Sequence, residues 1–83
     1  MRARVLVRLK PSILDAQGVT VKRALAGLGF SEVQDVRVGK VVDVELDGLG
    51  PDEARRRVDE MCARLLCNPV IETFTVELLT DTR

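Results

Sequence analysis

The chain has 83 residues, with 13 basic and 13 acidic side chains, 46% hydrophobic residues and no histidine, tyrosine or tryptophan. The zero net charge provides no field to attract nucleic acid or an anionic membrane, and the lack of histidine removes the usual acid–base catalyst and metal ligand. The sequence lacks an apolar run of about 18 residues and a signal-peptide core, so we expect a cytoplasmic protein with no membrane or nucleic-acid partner. We predict one domain over residues 1–83, in which residues 80–83 form a polar tail.

The amino-terminal half begins with a strand pattern that is followed by a helix pattern. Residues 3–9 alternate between apolar and mostly basic side chains, which predicts a strand ended by Pro11. Asp15 is suited to cap a helix that has Gln17 and Gly18 in its first turn. The apolar stripe of this helix, at helical spacing, comprises Leu14, Val21, Leu25 and Leu28.

The second half repeats this order of patterns. Alternation returns between residues 36 and 47, where Gly39 and Lys40 interrupt it; the pattern leaves open a tight hairpin or a bulge in one long bent strand. Pro51 is suited to the first position of a second helix, which Asn68 and Pro69 end. A last strand is predicted between residues 73 and 78. The apolar stripe of the second helix comprises Ala54, Val58, Met61, Cys62 and Leu65.

This order of elements predicts an α+β fold, a two-layer sandwich of ferredoxin-like character with an antiparallel sheet and both helices on one face. The first strand is expected beside the middle one, so that Arg4 and Arg8 lie near Asp43 and Glu45. The opposite sheet face stays uncovered, and we hypothesise that the chain self-associates through it or through a sheet edge. The apolar candidates for this oligomer face are Leu6, Val41, Ile71 and Leu79.

Few residues could carry chemistry. Cys62 and Cys67 lack additional metal ligands and a C-x-x-C spacing, so we interpret them as packing cysteines. The arginines at 55–57 have acidic neighbours and fit a solvated helix face, and the predicted strands lack the exposed aromatics that stack RNA bases. No phosphate-loop motif surrounds Gly39 and Lys40. We therefore predict no catalytic, cofactor or metal site within the chain itself.

Three segments carry a family resemblance. Residues 14–18 read Leu-Asp-Ala-Gln-Gly, with Ala16 where the family commonly has proline, and they are followed by family-like residues at 24–25 and 28–30. Residues 36–40 resemble the family pattern Val-Arg-x-Gly-Lys, and residues 61–72 resemble Met-Cys-x-Lys-Leu-Leu-x-Asn-Pro-Val-Ile-Glu. In this order they resemble PurS, the small component of phosphoribosylformylglycinamidine synthase.

The resemblance implies a non-catalytic subunit that bridges a glutaminase subunit and a large ATP-dependent synthetase subunit in the fourth step of purine biosynthesis. It also implies a homodimer or higher homo-oligomer, and it assigns ATP, magnesium and glutamine to the partner subunits. Two other interpretations stay open: a regulatory module of similar topology that senses a small molecule, and an independent small enzyme. The candidate structural or partner-contact residues are Asp15, Gln17, Gly18, Arg37, Gly39, Lys40, Asn68 and Pro69.

Overall fold

A computed structural model describes residues 1–79, so the predicted polar tail lies outside the described residues. Within them the chain forms three strands, β1 (Arg2–Leu9), β2 (Lys40–Glu45) and β3 (Glu72–Leu79), and two helices, α1 (Ala16–Gly27) and α2 (Pro51–Met61). β1 lies in the centre of the sheet and runs antiparallel to both β2 and β3. The predicted α+β class, with an antiparallel sheet and two helices, is confirmed. No helix in residues 1–79 has the length and apolar character needed to cross a bilayer.

The core lies between α2 and the inward face of the sheet. Ala3, Val5 and Val7 alternate along β1 and are at most 1% exposed, as their spacing predicts. α2 begins at Pro51 and packs on β1 and β3, with Val58 fully buried. The alternate apolar side chains of β1 and the apolar stripe of α2 therefore pack against each other in one layer.

The end of α2 departs from its predicted stripe. Residues Cys62–Leu66 form a π-helical turn, in which the Cys67 N–H donates to the Cys62 carbonyl oxygen at 3.0 Å. An i→i+5 turn holds more residues than an α-helical turn, so the apolar stripe shifts along the sequence. The prediction that Leu65 lies on the stripe is wrong, because this side chain is 83% exposed while Leu66 packs against the core.

The register of β1 against β2 shows which of the predicted charge pairs form. Arg4 lies opposite Asp43, and its Nε donates to the Asp43 carboxylate at 3.0 Å, as predicted. Glu45 lies opposite Arg2 instead of near Arg8, and their closest charged atoms are 3.8 Å apart. The pairing between these strands ends at Lys40, so Arg8 lies beyond β2 and the prediction for Arg8 is wrong.

Gly39 and Lys40 form neither of the two predicted arrangements. Residues 34–39 have no regular structure, and β2 begins at Lys40, so the interruption in the pattern marks the start of a single strand. At Gly39 a Cβ atom would lie 2.6 Å from the Val7 carbonyl oxygen, so the chain enters the sheet through a gap that only glycine fits.

α1 differs most from the predicted sandwich. Its only buried residue is Gly18, and two residues of its predicted stripe, Leu14 and Leu28, are 78% and 73% exposed. The radius of gyration is 16.3 Å, whereas a compact domain of this length has about 12 Å. The apolar stripe has the predicted spacing, but within one copy it does not pack on the sheet.

Candidate functional site

Asp15 anchors the start of α1 to the segment that leads into β2. Its carboxylate accepts hydrogen bonds from the backbone N–H of Gly18 at 2.8 Å and from that of Val38 at 2.5 Å, and the residue is 4% exposed. These donors, Val38 foremost, lower the pKa of Asp15 below its usual range, so the carboxyl group is ionised at neutral pH. Gly18 is required here, since a Cβ atom would overlap the Val36 carbonyl oxygen.

Arg37 ties the same two segments together through its side chain. Its guanidinium group donates to the carbonyl oxygens of Lys10 at 2.9 Å and Ile13 at 3.0 Å. In both contacts residues 36–38 donate, through the Arg37 side chain and the Val38 N–H, and the loop after β1 accepts, through backbone carbonyl oxygens and the Asp15 carboxylate. We call this pair of contacts the clasp; it holds the first turn of α1 against residues 36–38.

A small cleft lies beside the clasp at one end of the sheet. Its volume of about 220 Å³ is below the range of about 300–1,000 Å³ that is usual for ligand pockets. Four of the predicted candidates, Asp15, Gln17, Gly39 and Lys40, meet here. The complete lining consists of Val7, Leu9, Asp15, Gln17, Val38, Gly39, Lys40 and Glu72.

Glu72, which the sequence did not single out, links this cleft to the turn that precedes β3. Its Oε1 accepts from the Asn68 N–H at 2.7 Å, and its own N–H donates to the Asn68 carbonyl oxygen at 2.7 Å. The Asn68 side chain also accepts from the Val70 N–H at 3.1 Å. Asn68 therefore organises the turn, while the adjacent Pro69 is exposed. The only available signal for Glu72 was its place at the end of the family-like segment 61–72.

The two cysteine thiols lie in the hydrophobic core. Cys62 and Cys67 are buried and free, and both belong to the hydrophobic core cluster. Burial raises the pKa of each thiol, which keeps both protonated at neutral pH. Across residues 1–79, no three His, Cys, Asp or Glu side chains are grouped so that they could hold a metal ion.

The outward sheet face carries most of the predicted oligomer residues, but it brings only Leu6 and Val41 into contact. Leu6 lies in the central strand opposite Val41, which is 57% exposed. Leu79 lies opposite Arg2 on the same face, and Ile71 lies one residue before β3. We call Leu6, Val41 and Leu79 with their charged neighbours the open face. Leu6 and Val41 form a small apolar centre, and the charged row of Asp43, Arg4 and Glu77 separates it from Leu79.

The family model for PurS, described as phosphoribosylformylglycinamidine (FGAM) synthase, matches residues 2–80. This chain belongs to the PurS family. The PurS subunit of Bacillus subtilis phosphoribosylformylglycinamidine synthase is 42% identical over 77 residues, which cover 93% of this chain and 90% of that protein. The PurS resemblance seen in the sequence is confirmed.

Solved structures agree with this assignment. Methanocaldococcus jannaschii PurS, a subunit of formylglycinamide ribonucleotide amidotransferase, matches with a TM-score of 0.83 and 36% identity over 92% of each chain. A chain in the structure of PurLQS from Thermotoga maritima matches with a TM-score of 0.85 and 28% identity, over 94% of this chain and 95% of its own length. The PurS fold is thus present over nearly the whole chain.

Proposed function

We propose that the chain is the non-catalytic subunit that bridges the glutaminase and synthetase subunits of phosphoribosylformylglycinamidine synthase in the fourth step of purine biosynthesis. One observation carries the proposal: a chain of the Thermotoga maritima PurLQS structure matches this one over 95% of its length at a TM-score of 0.85. In this role the chain binds proteins, and ATP with magnesium and glutamine are used by its partners. The two free cysteines fit the reducing cytoplasm as its location.

The surface of the chain supports a protein-binding role. Large apolar side chains are exposed along α1, and Val41 is exposed on the open face, whereas scattered single residues are the rule on a monomer that binds nothing. An apolar centre with a charged rim is also the usual composition of a protein interface. The cleft beside the clasp is smaller than usual ligand pockets, so it gives no support to a small-molecule site within one copy.

We further propose that copies of the chain associate into a homodimer or a higher homo-oligomer. The open face, with Leu6 and Val41 at its centre, and the outer edges of β2 and β3 are surfaces that a second copy can cover. Sedimentation velocity over a wide concentration range tests this proposal. A sedimentation coefficient that stays at the monomer value throughout would contradict it.

Reconstitution tests the bridging role. We expect glutamine-dependent synthesis of formylglycinamidine ribonucleotide to need all three subunits, while the large subunit alone retains some activity at high ammonium concentration. If the two larger subunits couple glutamine hydrolysis fully to synthesis without this chain, the proposed role is wrong. Calorimetry of the isolated chain against amino acids and nucleotides should detect no tight binding, and a micromolar ligand would favour the sensor instead.

A pair of matched variants locates the contact surface. Val41→Lys places a charge on the open face, and Leu65→Lys places the same charge on an apolar residue that is 83% exposed on the opposite side of the sheet, after α2. We expect Val41→Lys to reduce glutamine-dependent turnover in the reconstituted complex and Leu65→Lys to leave it unchanged. Equal turnover for both variants would exclude the open face as a contact surface.

A further inference from the structure

The outward side of β1 carries a row of arginines, and the first two of them are paired. Arg4 donates from its Nε to the Asp43 carboxylate at 3.0 Å, and Glu77 lies opposite Arg4 on β3. The closest charged atoms of Arg2 and Glu45 are 3.8 Å apart. Each carboxylate on the outward side of the three strands therefore has an arginine of its own sheet beside it.

Arg8, the third arginine of the row, has no carboxylate beside it. Thr73 lies opposite it on β3, and the pairing of β1 with β2 ends one position earlier, where Val7 lies opposite Lys40. The stem of Arg8 runs over Gly39, and its Cγ lies 3.3 Å from the position that a Cβ would take there. The Arg8 side chain is exposed, and among residues 1–79 it forms no ion pair.

The other charges at this end of the sheet leave Arg8 unneutralised. The guanidinium group of Arg37 donates to the Lys10 carbonyl oxygen at 2.9 Å, so two more cations lie here. Of the nearby carboxylates, Asp15 and Glu72 line the cleft on the inward side, and that of Asp35 accepts from the adjacent Val36 N–H. Asp81 follows two residues after Leu79, which lies opposite Arg2 and about 20 Å along the sheet from Arg8. A carboxylate that pairs with Arg8 therefore has to come from another polypeptide.

Arg8 also adjoins the apolar centre of the open face. Leu6 precedes it by two positions on the same side of β1, and Leu6 lies opposite Val41, which is 57% exposed. An arginine beside exposed apolar side chains is typical of protein interfaces, where arginine is enriched and often supplies much of the binding energy. Its guanidinium group is weakly hydrated, so burying it in a contact costs less than burying a lysine ammonium group.

We propose that Arg8 binds a carboxylate of a partner subunit of the synthase, in a contact whose apolar centre is Leu6 and Val41. The inference rests on the proposed bridging function and names the chemistry of the partner surface, an acidic side chain beside an apolar one. A guanidinium group can bind both oxygens of one carboxylate, which would fix the orientation of the partner. A second copy of the chain complements this surface less well, because its outward carboxylates already lie beside Arg2 and Arg4.

Charge reversal at two exposed arginines tests the contact. Arg57, in α2, is the matched control, since it is also exposed and forms no ion pair among residues 1–79. Each variant is titrated into fixed amounts of the two larger subunits, and glutamine-dependent turnover is measured. Arg8→Glu should raise the concentration for half-maximal turnover at least about tenfold, because two like charges replace an ion pair. Arg57→Glu should match the wild type. A wild-type value for Arg8→Glu would overturn the proposal.

Neutral and conservative variants at the same position separate a loss of contact from a loss of folding. Arg8→Gln serves if circular dichroism shows that Arg8→Glu does not fold. It should raise the half-maximal concentration less than charge reversal does, and should weaken the dependence of that concentration on sodium chloride. Arg8→Lys keeps the charge without the two-pronged geometry and should lie between Arg8→Gln and the wild type. A salt dependence that is the same for Arg8→Gln and the wild type contradicts the proposal.

Carbodiimide cross-linking identifies what binds Arg8. In the assembled complex of the Arg8→Lys variant, the reagent should join the amine at position 8 to a carboxylate of one of the two larger subunits, which peptide mass spectrometry locates. Arg57→Lys should give no such product at position 57. A product that joins position 8 to a second copy of the chain, and none to a larger subunit, would overturn the proposal.

The same titration distinguishes this inference from the bridging function. If glutamine-dependent turnover does not need the wild-type chain at all, the bridging function is wrong and the proposed contact of Arg8 is wrong with it. If turnover needs the wild-type chain and Arg8→Glu supports it equally well, only the contact of Arg8 is wrong.

Discussion

Gly18→Ala is expected to destabilise the fold, although replacing glycine by alanine usually stabilises a helix. The new Cβ atom would overlap the Val36 carbonyl oxygen and lie 2.9 Å from the Asp15 carboxylate, so the first turn of α1 has to move away from the clasp. Overpacking of this kind costs about 1–3 kcal/mol, and the loss of glycine flexibility in the unfolded chain offsets about 0.4–1 kcal/mol of it. The net expectation is a loss of about 1–2 kcal/mol.

Gly27→Ala in the same helix is the matched control. Apart from the adjoining residues and backbone of the same helix, no atom lies within 4 Å of the position that a Cβ would take at Gly27, so only the favourable effect on the unfolded chain remains. We expect a gain of about 0.4–1 kcal/mol. Urea unfolding followed by circular dichroism measures both variants, at one protein concentration because self-association would add to apparent stability. If Gly18→Ala raised the unfolding midpoint as Gly27→Ala does, the tight contact at Gly18 and the clasp built on it would be refuted.

Three other predictions concern single side chains. Because the pKa of Asp15 is lowered in the folded state, its contribution to stability is present above about pH 4 and is lost as the pH falls through the lower folded-state value. Asp15→Asn should therefore be less stable than the wild type at pH 7, with a difference that narrows below about pH 4; a pH-independent difference in urea midpoints would contradict this. Cys62 and Cys67 should react slowly with a thiol reagent in the folded chain and rapidly in urea, since both are buried and their pKa values are raised; rapid reaction of the folded chain would show the core to be open. Val58→Ala should lower the free energy of unfolding by about 2–3 kcal/mol, because it empties space at a fully buried position, and a loss below about 0.5 kcal/mol would mean that α2 repacks freely.

Short-range patterns in the sequence predicted the two longer strands, the start of each helix and the fold class. Alternation identified the buried side of β1, Asp15 caps α1 as its side-chain type suggests, and Pro51 is the first residue of α2. Each of these depends on residues a few positions apart. Local periodicity is therefore sufficient to predict them.

The sequence-based predictions fail where segments distant in the sequence come into contact, or where the helical period changes. Leu65 and Leu66 are both apolar, so no pattern could reveal that a π-helical turn selects the second of them. The contact of Glu72 with the cleft depends on the turn at Asn68 and has no sequence motif. An apolar stripe such as that of α1 predicts that this face of the helix is buried, but it does not specify which polypeptide buries it.

The central position of β1 gives each part of the sheet its own rate of amide exchange with deuterated solvent. Amides along β1 bond to β2 on one side and to β3 on the other, whereas every second amide of the outer strands points away from the sheet. Those outward amides exchange rapidly in a dissolved single copy and slow down when another chain pairs with that edge. Deuterium uptake by β2 and β3, before and after assembly, therefore shows which edge of the sheet each neighbour occupies, without any substitution.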